Sequence, residues 1–221
     1  MADLDGDGHE DLISGGWRAV VYRWPDRQLR GFSKREVLVA RADTPKDDPY
    51  AGYEYGELQA GAVATGDLDA DGDTDLVVGT VFGRIYVVAN EGTRSAPKFG
   101  KPTVFVDGRI DPRFPKRFSK AGPVLADWDG DGDLDFIVGS ESTGVLLLSN
   151  VGTAEKPKLG RAVTLHEGSA FIEDGCRFKP TVADWTGDGR LDLVIGECRF
   201  KMTNAGFGTH GYVLVRLGNG K

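Results

Sequence analysis

The chain contains the acidic segment Asp127-Trp-Asp-Gly-Asp-Gly-Asp-Leu-Asp135, followed at once by the apolar run Phe136-Ile-Val-Gly139. Positions 1, 3, 5 and 9 of these nine residues all hold aspartate, and in an extended chain such alternation places like charges on one side. A cation removes their repulsion, and hard oxygen ligands on a flexible loop suit Ca²⁺ better than Zn²⁺ or Mg²⁺. Gly132 at position 6 permits a sharp turn, and the backbone carbonyl of position 7 can add a ligand.

The segment occurs four times, which argues against the alternative that it is a metal-free Asp-Gly hairpin turn. Bare turns do not need carboxylates at the same offsets in every copy. We therefore expect up to four calcium ions, one per loop, with position 7 contributing its backbone carbonyl. The expected ligands are Asp3, Asp5, Asp7, His9 and Asp11; Asp67, Asp69, Asp71, Asp73 and Asp75; Asp127, Asp129, Asp131, Asp133 and Asp135; and Asp184, Thr186, Asp188, Arg190 and Asp192.

The four copies are not equal, and none of them matches a helix–loop–helix calcium site. Thr186 replaces an aspartate at position 3 of the fourth copy, so we expect this loop to bind calcium most weakly. A helix–loop–helix site needs a bidentate glutamate at position 12. Ser14, Val78, Val138 and Ile195 stand there instead, each within an apolar run that predicts a strand.

The composition excludes several classes of protein. Lys and Arg number 27 and Asp and Glu 34, giving a formal charge of −7 that bound calcium would largely offset. The chain has no long basic run, so we expect no nucleic-acid binding. No apolar stretch approaches the roughly 20 residues of a membrane span, and the N-terminus does not resemble a signal peptide. Because the sequence begins inside a repeat, we expect it to belong to a longer protein or to a gene that starts there.

The spacing of the loops predicts an all-β propeller built of four-stranded antiparallel blades. The loops start 64, 60 and 57 residues apart, and the 32 glycines and ten prolines imply many turns. We divide the single domain 1–221, a propeller or half of one, into blade units 1–58, 59–121, 122–178 and 179–221. The predicted strands number 3, 4, 4 and 3; in the second unit they span 60–65, 75–79, 84–89 and 102–106. The incomplete first and last units leave bare strand edges, so we expect a homo-oligomer or missing blades of a longer chain.

The longest predicted loops lie opposite the calcium loops and are candidates for ligand binding. The loops 41–56, 107–122 and 197–211 carry the candidate residues Tyr50, Tyr53, Tyr55, Arg113, Lys116, Arg117, Phe207 and His210. Tyrosines with cationic side chains suit an acidic glycan or a carboxylate-rich protein surface. The alternative is that these residues pack against each other and cover the ring. Catalysis is poorly supported, because the three histidines fall in unrelated places and none pairs locally with a nucleophile.

Two pairs of residues bear on packing. Trp128 and Trp185, both at loop position 2, are interpreted as wedges between blades, with ligand-binding platforms as the alternative. Cys176 and Cys198 are symmetric about the centre of the fourth loop, so paired strands would make them neighbours. They could form a disulfide, as extracellular proteins permit, or remain two separate buried thiols.

The pattern D-x-D-x-D-G-x-x-D followed by two apolar residues and glycine resembles the FG-GAP/VCBS-type repeats of integrin α heads, lectins and polysaccharide lyases. The resemblance covers nearly the whole chain, although the Phe-Gly and Gly-Ala-Pro flanks of the integrin form are absent. It implies calcium in all four loops, a ring of seven or eight blades, and a secreted or cell-surface location. It leaves the function open. We expect a non-catalytic module for binding or assembly, with a glycan-binding lectin or a lyase scaffold as alternatives.

Overall fold

The computed structural model describes residues 2–16, 20–24, 36–39, 60–108, 110–114, 119–141, 143–168, 176–203 and 206–216. Within these residues the chain is all-β and forms four consecutive antiparallel sheets, without a helix. Sheet 1 contains β1 (Leu12–Gly16), β2 (Val20–Trp24) and β3 (Glu36–Val39). Sheet 2 contains β4 (Ala60–Gly66), β5 (Asp75–Thr80), β6 (Arg84–Val88) and β7 (Thr103–Asp107). Sheet 3 contains β8 (Gly122–Ala126), β9 (Asp135–Gly139), β10 (Gly144–Leu148) and β11 (Val163–Glu167). Sheet 4 contains β12 (Cys176–Ala183), β13 (Asp192–Thr203) and β14 (Gly206–Arg216).

The predicted sequence of strands is confirmed in the described part of the chain, including the incomplete first and last sheets. The bridge between Ala2 and Asp11 is the tail of the strand that the first sheet lacks. Each acidic loop of sheets 2, 3 and 4 joins the first two strands of its sheet, as predicted.

The predicted loop 197–211 is wrong, because these residues form a long β-hairpin. β13 and β14 pair in continuous register from Leu193 with Arg216 to Thr203 with Gly206. Cys198, Phe200 and Met202 alternate with polar residues, which is the period of a strand rather than of a loop. The first strand of this sheet, predicted at residues 181–183, begins earlier, at Cys176.

Three apolar cores lie between consecutive sheets. In β5, Leu76 and Val78 face the core shared with sheet 1, whereas Val77 faces the core shared with sheet 3. All residues of β5 and β9 are buried, which explains why these strands are continuous apolar runs rather than alternating ones. A third core joins sheets 3 and 4.

The glycines that end the apolar runs of sheets 2 and 3 let the next sheet approach closely. A Cβ on Gly79 would lie 2.9 Å from the carbonyl carbon of Ala121, and one on Gly139 would lie 2.9 Å from that of Phe178. At the same places, the Ala121 N–H donates to Thr80 O at 3.0 Å and the Phe178 N–H donates to Ser140 O at 2.8 Å. Both contacts join the second strand of one sheet to the beginning of the next.

The tryptophans at loop position 2 differ in their surroundings. Trp128 packs into the third core, which supports its interpretation as a wedge between sheets. Trp185, in the loop between β12 and β13, is 64% exposed. Val213 and Val215 alternate along β14 and are also exposed, so one side of this strand presents apolar side chains to solvent.

Candidate metal centres

Three of the four acidic loops bring their first three aspartates together. In each, one oxygen per carboxylate lies within 4.8 Å of the others. The groups are Asp3, Asp5 and Asp7; Asp67, Asp69 and Asp71; and Asp127, Asp129 and Asp131. The fourth loop forms no such group among the described residues, since Thr186 replaces one carboxylate.

The loops owe their shape to positions 1 and 6. Gly72 and Gly132 adopt φ angles of 92° and 95°, which L side chains rarely adopt. Their N–H groups donate to the position-1 carboxylates, from Gly72 to Asp67 Oδ2 at 3.0 Å and from Gly132 to Asp127 Oδ2 at 3.1 Å. The turn expected at position 6 is therefore confirmed, and it folds the acidic side chains towards each other.

The ninth aspartate fastens its loop to the following part of the same sheet. Asp75 is 2% exposed; its Oδ2 accepts from Leu68 N at 3.0 Å and its Oδ1 from Asn90 N at 2.8 Å. Asp135 does the same with Trp128 N at 3.0 Å and Asn150 N at 2.7 Å. Sequence reasoning missed this structural role, although an Asn-x-Gly-Thr segment stands 15 residues after each of these aspartates.

Carboxylate oxygens in these loops lack the partners that burial normally demands. Six buried side-chain nitrogen or oxygen atoms of the described residues have no hydrogen bond, and four of them are oxygens of loop aspartates. These are Oδ1 atoms of Asp5, Asp67, Asp73 and Asp133. A buried carboxylate without a donor is costly, so this donor set fits a hard cation.

Position 7 contributes more charge than the sequence predicted. We expected only a backbone carbonyl from Asp73 and Asp133, but the Asp73 side chain is 6% exposed and lies near other loop carboxylates. Burial raises the pKa of Asp73, and repulsion from Asp71 and Asp75 raises it further. Burial and the Asp131 charge raise the pKa of Asp133 in the same way. Both loops thus hold carboxylates that favour protonation or a cation.

The first loop already contains a cation of the protein. The buried Arg23, on β2, pairs with Asp5 through Nη2 and lies 3.0 Å from Asp11 Oδ2 through Nε. The hydrogen bond from Arg23 lowers the pKa of Asp5. The local sequence pattern did not predict this contact. Arg23 stands at the same register position as Val87 and Leu147 in the next two sheets, where the residue is apolar.

The fourth loop satisfies its carboxylates internally. Asp192 Oδ2 accepts from Trp185 N at 3.0 Å, from Thr186 N at 3.1 Å and from Thr186 Oγ1 at 3.3 Å. The two oxygens of Asp184 accept from Gly187 N at 2.7 Å and Gly189 N at 2.9 Å. The Thr186 hydroxyl is the donor that distinguishes this loop, because position 3 holds an aspartate in the other three.

The predicted ligand-binding residues are only partly described. Tyr50, Tyr53, Tyr55, Lys116 and Arg117 lie outside the described residues.

Of the remaining three predicted residues, one lies in the segment between β7 and β8 and two lie on β14. Arg113 pairs with Asp111, and its Nη1 donates to Leu159 O at 3.1 Å, so its charge is engaged within the protein. Phe207 and the exposed His210 are on β14, where their register partners are Met202 and Arg199.

The two cysteines are neighbours, as their symmetric positions predicted. Cys176 and Cys198 are register partners on β12 and β13, with 3.8 Å between their Sγ atoms, and both are free thiols. Burial raises the pKa of Cys176 to about 11. The structure therefore contains neither the disulfide nor two separate buried thiols, but two neighbouring free thiols, of which Cys176 is buried and Cys198 is partly buried.

The FG-GAP-like repeat model matches residues 67–138 and 127–195, which together span more than half of the chain. The chain therefore belongs to the FG-GAP-like repeat family.

Two known proteins are similar over most of this chain. Integrin alpha-PS2 of Drosophila melanogaster is 26% identical over 223 residues, covering 88% of this chain and 14% of the integrin subunit. The second is an Agrocybe aegerita lectin whose structure describes its recognition of non-reducing terminal N-acetylglucosamine. Its sequence is 19% identical to this chain, and the two structures align with a TM-score of 0.51. That alignment covers 99% of this chain and 51% of the lectin chain, and it supports the fold alone. No helix of the described residues is long and apolar enough to cross a membrane.

Proposed function

We propose that residues 1–221 are part of a calcium-stabilised β-propeller that serves as an extracellular module for binding or assembly rather than as an enzyme. The observation that carries the proposal is the clustering of three carboxylates in each of three loops, together with buried carboxylate oxygens that lack donors. Four consecutive antiparallel sheets with cores between them support the propeller.

The proposed ligands in each loop are the side chains of positions 1, 3, 5 and 9 and the carbonyl of position 7. When bound, calcium supplies the positive charge that offsets the repulsion among the carboxylates. A carboxylate has about four lone-pair sites, so Asp75 and Asp135 can hold an ion and still accept their backbone N–H groups. Binding would thereby strengthen the connection between the loop and the turn that begins at Asn90 or Asn150.

The four loops should differ in affinity. The second and third loops have the most acidic donor sets and unpartnered oxygens, so we rank them highest. Arg23 competes with a cation for Asp5 and Asp11, which places the first loop below them. The fourth loop, with Thr186 and its internal hydrogen bonds, ranks last.

A second structural feature supports assembly. Val213 and Val215 are exposed on one side of β14, and exposed apolar side chains of this kind favour contact with another protein surface. The occupant would be further blades of a longer chain or a second copy of this one. The similarity to an integrin subunit supports an extracellular or cell-surface location, where millimolar calcium would fill sites of moderate affinity.

A glycan-binding lectin is the second candidate function. It is favoured by the fold similarity to the Agrocybe aegerita lectin along 99% of this chain. A glycan array separates the two candidates, because a saturable signal for one sugar class would support the lectin and a blank array would support protein assembly.

Calcium titration of metal-free protein tests the proposal. We expect at least two strong sites and a higher melting temperature with calcium. Asp131→Asn should remove one strong site, whereas the matched change Asp188→Asn in the fourth loop should leave the strong sites intact. Unchanged melting temperature with calcium, or unchanged stoichiometry in Asp131→Asn, would contradict the metal assignment.

Light scattering with calcium and then with a chelator tests the assembly part. A dimer that dissociates on chelation would mean that two chains complete a ring. A monomer in both conditions would contradict self-assembly and would favour a different protein as the partner.

A further inference from the structure

The two cysteines lie where β12 stops supporting the long hairpin of β13 and β14. Cys176 is the first residue of β12, and its register partner on β13 is Cys198. Past this pair, residues 199–203 and 206–210 are paired among the described residues only with each other, and we call them the hairpin arm. A two-stranded hairpin is marginally stable alone, so the contact between the cysteines bears on how firmly the base of the arm is held.

The contact between the cysteines is separated from the regular ladder of β12 and β13. Two residues of β12 stand between the cysteine pair and the next register pair, Lys179 with Gly196, whereas one residue of β13 does. This is the count of a β-bulge. Arg177, inside the bulge, adopts a φ angle of 57°, and its N–H donates to Glu141 O at 2.7 Å, in the segment between β9 and β10. The ladder is therefore interrupted immediately before the base of the arm.

The geometry of the pair is compatible with a covalent bond. The two Sγ atoms are 3.8 Å apart, and Cys176 Sγ lies 3.3 Å from Cys198 O. Register partners in antiparallel sheets have Cα atoms about 4.5–5.5 Å apart, within the roughly 4.4–6.8 Å that disulfides span. Rotation of the side chains can therefore bring the sulfurs to bonding distance without separating the strands. The sequence contains two cysteines, so neither has a competing partner within residues 1–221.

The two sulfurs differ in their access to reagents. Cys176 is 1% exposed, and burial raises its pKa to about 11, so at neutral pH it is a protonated thiol. Cys198 is only partly buried and is the more accessible of the two. The thiolate of Cys198 can attack a low-molecular-weight disulfide, forming a mixed disulfide and releasing one thiol. Cys176 then loses its proton to solvent and attacks the Cys198 sulfur, which forms the internal disulfide and releases the second thiol.

We propose that Cys176 and Cys198 are a site of redox modification, and that their disulfide, formed by exchange with a small disulfide such as oxidised glutathione, fastens the base of the hairpin arm to β12. The arm contains Phe207 and His210, two of the residues expected to bind a ligand, so the bond fixes the position of that candidate surface. The inference goes beyond the proposed function and does not require calcium, because neither cysteine belongs to an acidic loop.

Intact-mass measurement of the protein after incubation with excess oxidised glutathione tests the chemistry. We expect a monomer lighter by two hydrogen atoms, and a peptide map in which the segments around Cys176 and Cys198 are joined. A glutathione adduct that persists on Cys198, a cross-linked dimer or an unchanged mass would overturn the proposal.

Matched variants test the order of attack. Cys176→Ser removes the second nucleophile and should leave a stable glutathione adduct on Cys198. Cys198→Ser should stay unmodified, because the remaining thiol is buried. Equal adduct formation in the two variants contradicts the assigned order. The mass measurement on the unaltered protein needs neither variant, so the disulfide itself stays testable if one of them does not fold.

Hydrogen exchange of the backbone amides tests the structural consequence. We expect amides of the hairpin arm to exchange at least about tenfold more slowly in the disulfide form than in the reduced form, whereas those of β5 in sheet 2 change little. Reduction with dithiothreitol should restore the faster exchange. Equal exchange of the arm in both forms would overturn the fastening role. The same difference is expected with calcium and with a chelator, which separates this test from a failure of the proposed metal sites.

Discussion

At the scale of single residues, the ninth aspartate of each loop is both a proposed calcium ligand and an acceptor of hydrogen bonds from backbone N–H groups. The carboxylate of Asp135 is 1% exposed and accepts two backbone N–H groups from different segments. We expect Asp135→Asn to destabilise the metal-free protein by about 1–3 kcal/mol, because the amide nitrogen would face an N–H donor. Urea unfolding in metal-free buffer measures the change. Asp129→Asn serves as the control, and an equal loss in both variants would contradict the structural role of position 9.

Because the loop carboxylates are buried, the stability of the metal-free protein should depend on pH in a predictable direction. Burial raises the pKa of Asp73, Asp75, Asp133 and Asp135 in the folded, metal-free protein. A raised folded pKa means that the folded state favours the protonated acid, so stability is highest below the unfolded pKa and falls as pH rises through the raised one.

Calcium should therefore raise the melting temperature more at about pH 7 than at about pH 4.5, where protonation has already relieved part of the repulsion. Thermal unfolding of dialysed protein with and without added calcium at both pH values measures the difference. An equal increase at the two pH values would contradict this account.

Replacing Arg23 should change the calcium affinity of the first loop and the stability of the metal-free protein in opposite directions. Arg23→Leu removes the guanidinium from Asp5 and Asp11 and installs the kind of residue found at the same register in sheets 2 and 3. We expect tighter calcium binding by the first loop together with lower stability of the metal-free protein, because two buried carboxylates lose their partner. Calorimetric titration and urea unfolding measure the two effects. Weaker calcium binding would show that Arg23 organises the loop rather than competing for it.

At the scale of the strand, a glycine controls how closely two sheets approach. Gly79→Ala and Gly139→Ala would each push a Cβ into the carbonyl group of the next sheet. We expect each to destabilise the protein by at least about 2 kcal/mol, since backbone on both sides cannot easily move. Gly196 ends the same apolar run in sheet 4, but its nearest neighbour beyond adjacent residues is Lys179 O at 3.7 Å. Gly196→Ala should therefore be tolerated, and a comparable loss there would contradict the close-approach argument.

The strands and loops were predictable because their signals are local. The apolar run Phe136–Gly139 and the acidic loop before it specify a strand after a turn without knowledge of any distant residue. The hairpin of β13 and β14 was missed because its alternation is weak and interrupted by glycines. The contacts of Arg23 with Asp5 and of Arg94 with Asp3 join segments far apart in sequence, and a single sequence carries no signal that pairs them.

At the scale of the whole molecule, the three cores lie between sheets rather than within any one of them. A single sheet with two apolar faces is not stable alone, so each sheet depends on its neighbours. The sequence predicted this arrangement from the period of the loops.

The contact made by Gly79 with Ala121 is repeated, atom for atom, by Gly139 with Phe178. Residues 59–121 therefore contain both halves of one connector, Gly79 and Ala121, and residues 122–178 contain both halves of the other, Gly139 and Phe178. A gene duplication that inserts a copy of residues 122–178 would bring both halves with it and would leave the flanking connectors complete. Proteins built in this way can gain or lose repeats in evolution by unequal recombination, and the number of repeats can change without any substitution at their joints.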